Sequence, residues 1–278
     1  MQVLLLVNVL MLIVVFCLNN FMNIKVVIPC HLNSIRLEQK ILIDLQGLPM
    51  VEHVRRRALL SQKVDNVIIA TGDIKIKNTV ESYGGEVLFT KEIHENGTSR
   101  AAEAILKIDC THVLLIQGDE PLLIPNYLDI FIDNMKNSKE HLMWNAISKI
   151  DSKQAYSDNS IVKCLINSKS EIISCFRKPP LSRVDSNYND LIYKIQGLIA
   201  YEKQFLVNLV KKKNTLYSKL ESIEQMKAIE TGGSIKSILL PSSLPSVNTK
   251  SELAKVREIL SKDKVQQNIF NKINYSNY

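Results

Sequence analysis

Val113-Leu114-Leu115-Ile116-Gln117-Gly118-Asp119-Glu120-Pro121 is the stretch on which the reading of this chain turns. An apolar run passes into a glycine, two acids and a proline. That order describes a buried parallel strand ending in a loop that carries a carboxylate, and open α/β sheets hold their ligands in loops at the C-terminal ends of parallel strands. A carboxylate there suits a Mg²⁺ site that serves nucleotide phosphates. A solvated turn with ordinary charges would look the same in isolation, so the rest of the chain has to decide.

Upstream, β-branched or apolar runs at 24–29, 67–71 and 87–90 alternate with helical segments at 50–61, 73–83 and 100–108. Asp73 is placed to cap the second helix and Gly84-Gly85 to stop it. Such alternation implies right-handed crossovers and a mainly parallel sheet covered on both faces. After Pro125 the pattern loosens. A helix is expected at 127–137, then short strands at 146–150, 161–166 and 172–176, the last two as a hairpin around 167–170. A strand at 198–201, a short helix at 205–210, a helix at 220–230 stopped by Gly232-Gly233, a strand at 235–240 and a helix at 252–260 follow. The Asn-rich end from Gln266 is expected to fray. The simplest fold is one three-layered α/β domain over residues 22–262, with an inserted antiparallel flap and a polar tail over 263–278.

Composition narrows the function. The chain has 278 residues, 46% hydrophobic and 23% charged, which is ordinary globular material with length for a full core. The net charge of +7 comes mostly from scattered lysines, densest at Lys211-Lys212-Lys213. There is no basic stripe interleaved with aromatics, which argues against a nucleic-acid partner; a basic enzyme that binds polyphosphate is the simpler account. The five cysteines, at 17, 30, 110, 164 and 175, form no CxxC pair. They support neither a disulfide scaffold nor a zinc site, and fit a reducing, cytoplasmic compartment. Residues 2–18 are nearly all apolar, which is marginal for a membrane span of about 20 residues. No Lys or Arg precedes them and no small-residue cleavage site follows. Met22, directly before the first strand, is the expected functional start; a membrane anchor at 1–21 is the alternative.

The loop Pro29-Cys30-His31-Leu32-Asn33-Ser34-Ile35-Arg36-Leu37-Glu38-Gln39-Lys40 follows the first strand and carries two permanent cations. Arg offers phosphate oxygens a planar fork and Lys a compact charge, so the loop can cradle polyphosphate, although a solvated loop is the common fate of such residues. There is no Walker motif and no GxGxxG. The loop resembles the signature Ile-Pro-Ala-Arg-x-x-Ser-x-Arg-Leu-Pro-Gly-Lys-Pro-Leu of the CMP-sugar-acid synthetases, and the chain is most similar to their 3-deoxy-manno-octulosonate cytidylyltransferase (CMP-KDO synthetase) family. Gly47-Leu48-Pro49-Met50 resembles that family's Gly-Lys-Pro-Met, Gly84 to Val87 its Gly-Gly-Glu-Val, and Gly97-Thr98-Ser99-Arg100-Ala101-Ala102-Glu103 its Gly-Thr-Glu-Arg-x-Ala-Glu. Gln117 to Pro121 matches without change, Val162-Lys163 matches a Val-Lys strand, and Glu221-Ser222-Ile223-Glu224 fits a late helix start. The resemblance runs in register from about Ile24 to Leu260.

The resemblance implies a Rossmann-like nucleotidyltransferase fold, a homodimer formed through the flap, and Mg²⁺-dependent attack of the anomeric hydroxyl of a 2-keto sugar acid on the α-phosphate of CTP. Such chemistry is mostly positioning and charge neutralisation. By likeness, Arg36 and Lys40 hold the triphosphate, with Pro29, Cys30 and His31 in the same nucleotide loop. Gly97, Thr98 and Arg100 face cytosine and ribose. Asp119 binds the metal, with Asn248 at a second metal position. Gln117 reaches the sugar acid, Lys178 meets its carboxylate, and Tyr201, Glu221 and Glu224 lie on the sugar side. Cys30 stands for the family's Ala and is read as a small residue, not a nucleophile.

The departures are specific. His31 replaces an Arg, Glu38-Gln39 replaces Pro-Gly, Ile195 replaces a His near the sugar, and Lys227-Ala228 replaces a Glu-Gln pair placed against it. Asn248 replaces the Asp that is the family's second metal ligand, keeping an oxygen and losing a charge. These changes keep two other readings open: a sialic-acid-like CMP-sugar synthetase, and a non-catalytic nucleotide-binding relative. Trp144 is expected in the core or the flap. His53, His94, His112 and His141 show no metal spacing and are expected at the surface or as caps. The Leu and Ile positions of 220–230 are expected in the core.

Overall fold

The computed structural model describes residues 22–34, 36–91, 93–150, 152–180, 192–243 and 245–275. The expectations for residues 1–21 lie outside them. Among the described residues, no helix is long and apolar enough to cross a membrane.

The chain begins with β1 (Ile24–Cys30), a 3₁₀ turn at Lys40–Leu42, a small hairpin of β2 (Asp44–Leu45) and β3 (Leu48–Pro49), and α1 (Met50–Leu59). Next come β4 (Val67–Thr71), α2 (Ile74–Ser82), β5 (Glu86–Phe89), α3 (Gly97–Ile105), β6 (His112–Ile116), α4 (Pro125–Lys136) and β7 (Met143–Ser148). After α5 (Lys153–Ser157), the strands β8 (Lys163–Ile166), β9 (Ile172–Phe176) and β10 (Ile192–Glu202) precede α6 (Lys203–Lys211), α7 (Leu216–Glu221) and α8 (Glu224–Glu230). β11 (Lys236–Leu239), α9 (Lys250–Lys262) and α10 (Lys264–Tyr275) complete it.

The main sheet runs β11-β7-β10-β6-β1-β4-β5. β4, β1, β6 and β5 pair in parallel, as do β7 and β11. β10 runs antiparallel between β6 and β7. Its first residues pair with β8, which pairs antiparallel with β9 to form the flap. This is the α/β fold with a mainly parallel sheet and antiparallel flap expected from the sequence. β10 is longer than the expected 198–201 because its polar first half, Lys194-Ile195-Gln196-Gly197, serves the flap and a bulged pairing with β7 instead of presenting an apolar run.

The strands bury both faces, as parallel strands do under helices. Val26, Ile28, Leu114 and Ile116 pack on one side with α1, α2 and α4; Val27, Val113 and Leu115 pack on the other with α3, α6 and α8. A smaller cluster joins Leu37, Met50, Leu122 and Val247 to Leu253, Val256 and Leu260 of α9. It clamps the loop after β1 against the segment that carries Asn248. Trp144 is fully buried, its indole N–H donating to Ser138 Oγ at 2.9 Å.

Three expectations need correction. The end of the chain does not fray from Gln266: α10 packs on α1 through Gln266, Phe270 and Ile273, spaced as one helical face. Gln266 is buried, accepting from Arg57 Nη1 at 2.6 Å and donating to Leu122 O at 3.1 Å; Phe270 stacks on His53 at 5.4 Å; Ile273 is fully buried. His53 and His141 are accordingly buried, not at the surface: His53 bonds Leu45 O at 2.7 Å, burial pushes its pKa down to about 4, and His141 meets Glu171. The helix expected at 220–230 is two helices broken at Ser222, which has φ 54°. Ile223 is core, whereas Leu220 is 72% exposed.

Candidate active site

Strand order places the site. From β1 the chain moves outward through β4 to β5, then returns to put β6 on the other side of β1. The loops after β1 and β6 therefore diverge across a crevice at the C-terminal ends of neighbouring parallel strands. Gly118 lets them approach: a Cβ there would lie 3.1 Å from Cys30 Sγ and 3.1 Å from Ile41 Cδ1.

The long-range neighbours expected from the two loops meet. Lys40 Nζ donates to Asp119 Oδ2 at 2.5 Å and to Asn248 Oδ1 at 2.9 Å, and Arg36 Nη2 donates to the same Asn248 oxygen at 3.4 Å. The Asn248 amide is oriented by its own Nδ2, which donates to Ser246 Oγ at 3.1 Å, and its backbone N–H is held by Glu252 Oε2 at 2.8 Å. Val247 N donates to Asp119 O at 2.9 Å, fixing the two oxygen-bearing segments to each other. Gln39, in place of the family's glycine, takes the left-handed conformation (φ 49°) just before Lys40, and its Oε1 accepts from Lys75 Nζ at 2.5 Å. A side chain in that region costs about 1–2 kcal/mol relative to glycine.

The charges in this crevice are uneven. Partial burial and the positive charges of Arg100 and Lys40 hold His31 below its ordinary pKa, which favours its neutral form. Burial pushes the Cys30 thiol up to about 12, which keeps it protonated and unreactive. Burial and the adjacent Asp119 push Glu120 up to about 7. Glu120 was not singled out from the sequence; it packs under Gly197, where a Cβ would come within 2.6 Å of its Oε1.

The other expected residues divide. Gly97 opens α3 behind an Asn96 capping box, and a Cβ on it would sit 3.0 Å from Pro29 Cγ and 4.0 Å from Gln117 Oε1. Pro29, Gly97 and Gln117 are thus one contact group. Arg100 is buried, with Nη1 donating to Thr90 Oγ1 at 2.7 Å and Lys91 O at 2.9 Å. Thr98, Tyr201 and Glu224 line a cavity of about 440 Å³ with Glu95, Ser222 and Lys227. Burial, with the Glu224 charge nearby, pushes the Tyr201 phenol well above its ordinary range, and burial raises Glu224, which faces the Thr98 hydroxyl. Lys178 is exposed and does not line this cavity. Its neighbour Arg177 is the organised cation: its guanidinium donates to the carbonyls of Glu221, Ser222, Asn159 and Ser160. Glu221 accepts from Arg177 N at 3.1 Å, so it braces the break between α7 and α8 and does not line the cavity.

Which residues fit a divalent ion follows from the donors. Asp119 and Asn248 turn hard oxygens onto a single point, and a cation, the Lys40 ammonium, already sits between them. Among the described residues there is no cluster of three or more His, Cys, Asp or Glu able to hold a metal. One carboxylate and one amide oxygen fit a Mg²⁺ that takes its remaining ligands from phosphate and water, which is that ion's habit at nucleotide sites.

A family profile described as cytidylyltransferase matches residues 25–238. The 3-deoxy-manno-octulosonate cytidylyltransferase of Geotalea uraniireducens is 31% identical over 252 residues, covering 87% of this chain and 100% of its own length. The Escherichia coli protein of the same name is 29% identical, with 86% and 96% covered. The structure of CMP:2-keto-3-deoxy-manno-octonic acid synthetase complexed with CTP superposes with a TM-score of 0.81 at 28% identity, covering 87% of this chain and 99% of that one. With the fold and most of its length in common with these proteins, this chain belongs to the 3-deoxy-manno-octulosonate cytidylyltransferase (CMP-KDO synthetase) family of cytidylyltransferases.

Proposed function

We propose that this protein transfers CMP from CTP to the anomeric hydroxyl of KDO or a close 2-keto-3-deoxy sugar acid, releasing pyrophosphate. The observation that carries the reading is the convergence of Arg36, Lys40, Asp119 and Asn248, from three separated parts of the chain, at the sheet's switch point. Arg36 and Lys40 neutralise the triphosphate tail as the pyrophosphate departs. Pro29, Gly97 and Gln117 would close the crevice between nucleotide and acceptor; Tyr201 and Glu224, expected on the sugar side, share one cavity with Thr98, expected on the nucleotide side, so this cavity would lie where the two substrates meet. Asp119 and Asn248 would hold Mg²⁺, which when bound offsets charge on the phosphate oxygens. The flap would form a homodimer interface; its strand β9 leaves Ile173 half exposed. The four described cysteines are free, which supports the cytoplasmic assignment.

The direct test is pyrophosphate release from CTP and Mg²⁺ with a panel of acceptors: KDO, an amino-substituted octulosonate and a sialic acid. KDO is expected to give the highest kcat/KM. Preference for sialic acid would move the chain to the sister activity. Asn248→Asp should lower the Mg²⁺ concentration for half-maximal rate by about tenfold, the equivalent of one modest added charge interaction. An unchanged Mg²⁺ requirement would remove Asn248 from the metal site. If neither the wild type nor Asn248→Asp released pyrophosphate with any acceptor, the protein would bind nucleotide without turning it over.

A further inference from the structure

Two carbonyls in the Asp119 loop are held from below, by side chains far from it in sequence. Arg57 Nη1 donates to Leu123 O at 3.2 Å and to Gln266 Oε1 at 2.6 Å, and Gln266 Nε2 donates to Leu122 O at 3.1 Å. Arg57 is fully buried on α1, and among the described residues no carboxylate bonds to it. Burial pushes its pKa down to about 9. A buried cation without a counter-ion depends on its neutral acceptors, so these contacts are costly to lose. They also fix the Gln266 amide. An arginine only donates and a carbonyl only accepts, so Oε1 must face Arg57 and Nε2 must face Leu122. Glutamate could serve the first partner alone, and an aliphatic side chain neither.

Gln266 stands in the first turn of α10, just after α9 ends at Lys262. The other end of α9 begins at Lys250, two residues after Asn248. Along its length, about 20 Å of helix, Leu253, Val256 and Leu260 pack with Leu122 and Val247. Val247 N in turn donates to Asp119 O at 2.9 Å. The Asp119 loop is therefore fastened at two points, by Val247 beside Asp119 and by Gln266 beneath Leu122. α10 is itself seated on α1, by Arg56 Nη1 donating to Ile273 O at 3.0 Å and by Phe270 stacked on His53. Inside the loop, Leu123 N donates to Glu120 O at 3.1 Å and Glu120 N to Gln117 O at 3.3 Å. A shift at Leu122 is passed to Asp119 through these two linked turns.

We propose that Gln266 is a positioning residue: by holding Leu122 O it sets the place of Asp119 relative to Asn248 and Lys40, and so the affinity of the crevice for a divalent ion. The effect on the ion rests on the metal site proposed above; the effect on the loop does not.

The test uses the full chain and two variants, Gln266→Leu and Gln266→Glu. Amide hydrogen exchange at Leu123 and Val247, without nucleotide or metal, reads the loop directly. Gln266→Leu should speed exchange at both by about three- to tenfold, the worth of one neutral hydrogen bond. Gln266→Glu keeps the contact with Arg57 and loses the donor to Leu122. It should speed exchange equally while melting closer to the wild type than Gln266→Leu does. In pyrophosphate release both variants should raise the Mg²⁺ concentration for half-maximal rate by a similar factor, with kcat recovered at saturating Mg²⁺. Phe270→Leu, which loosens α10 without touching Leu122, should lower the melting temperature and leave exchange and Mg²⁺ requirement at the wild-type values. Unchanged exchange in both Gln266 variants, or an equal change in Phe270→Leu, would overturn the positioning role. Faster exchange with an unchanged Mg²⁺ requirement would overturn its link to the ion. A wild type whose turnover ignores Mg²⁺ would overturn the metal site and leave the exchange result standing.

Discussion

Asp119→Ala should lower kcat/KM for CTP by at least about a thousandfold, because it removes the carboxylate expected to hold the ion that offsets phosphate charge. The size of the effect follows from the lack of a substitute. Asn248 offers an oxygen without charge, Glu252 is engaged with the backbone N–H and the neighbouring threonine, and Glu120 is turned under Gly197 with its pKa pushed up to about 7. Among the described residues no other acid joins them in a metal cluster. The fold should survive, since the Asp119 side chain is partly exposed and the bond from Val247 N to Asp119 O uses the backbone. Unchanged far-UV circular dichroism alongside lost pyrophosphate release is the expected pair of results. Asp119→Asn should retain slightly more activity than Ala, since it keeps an oxygen facing Lys40. Near wild-type turnover in Asp119→Ala would take this residue out of the reaction.

The parts of the fold that were legible in the sequence are those in which local pattern and burial agree. β1, β4 and β6 are short apolar runs ending in polar loops, and their parallel pairing buries both faces. Asp73 caps α2 by accepting from Lys75 N and Ile76 N, as its position before a helical pattern implies. The meeting of Lys40, Asp119 and Asn248 is different in kind. Spacings of 79 and 208 residues carry no local signal, and resemblance alone brought these side chains to one place.

What stayed hidden was decided by backbone groups and by polar residues used as core. Lys163 and Arg177 find their partners among carbonyls, which every residue has, so nothing in the sequence marks Arg177 rather than Lys178 as the organised cation. Ser222 breaks the α7–α8 segment by adopting a left-handed conformation with no glycine or proline to announce it. α10 escaped notice because its buried face starts with Gln266, whose amide is satisfied by Arg57 and Leu122. A glutamine with both amide groups engaged can occupy a core position that composition would assign to solvent.

Lys40→Met should act in two opposite directions. Turnover should fall by about a hundred- to a thousandfold, the usual loss when one preorganised donor to developing negative charge is removed. At the same time Mg²⁺ should bind the nucleotide-free protein more tightly, because the Lys40 ammonium occupies the point at which Asp119 Oδ2 and Asn248 Oδ1 converge, at 2.5 and 2.9 Å. Methionine keeps much of the side chain's volume and withdraws its charge, leaving those oxygens open. Titration of the nucleotide-free variant with Mg²⁺, followed by calorimetry, separates the two effects from a general collapse of the site. Tighter metal with slower turnover means that Lys40 competes for the metal oxygens until CTP draws it onto phosphate. Weaker metal with slower turnover would mean that Lys40 builds the crevice by holding Asp119 and Asn248 together, and that its contact with phosphate is secondary. Lys40→Arg sharpens the distinction: it preserves the charge with a larger, planar head, so turnover should recover only in part and metal binding should stay near the wild-type value.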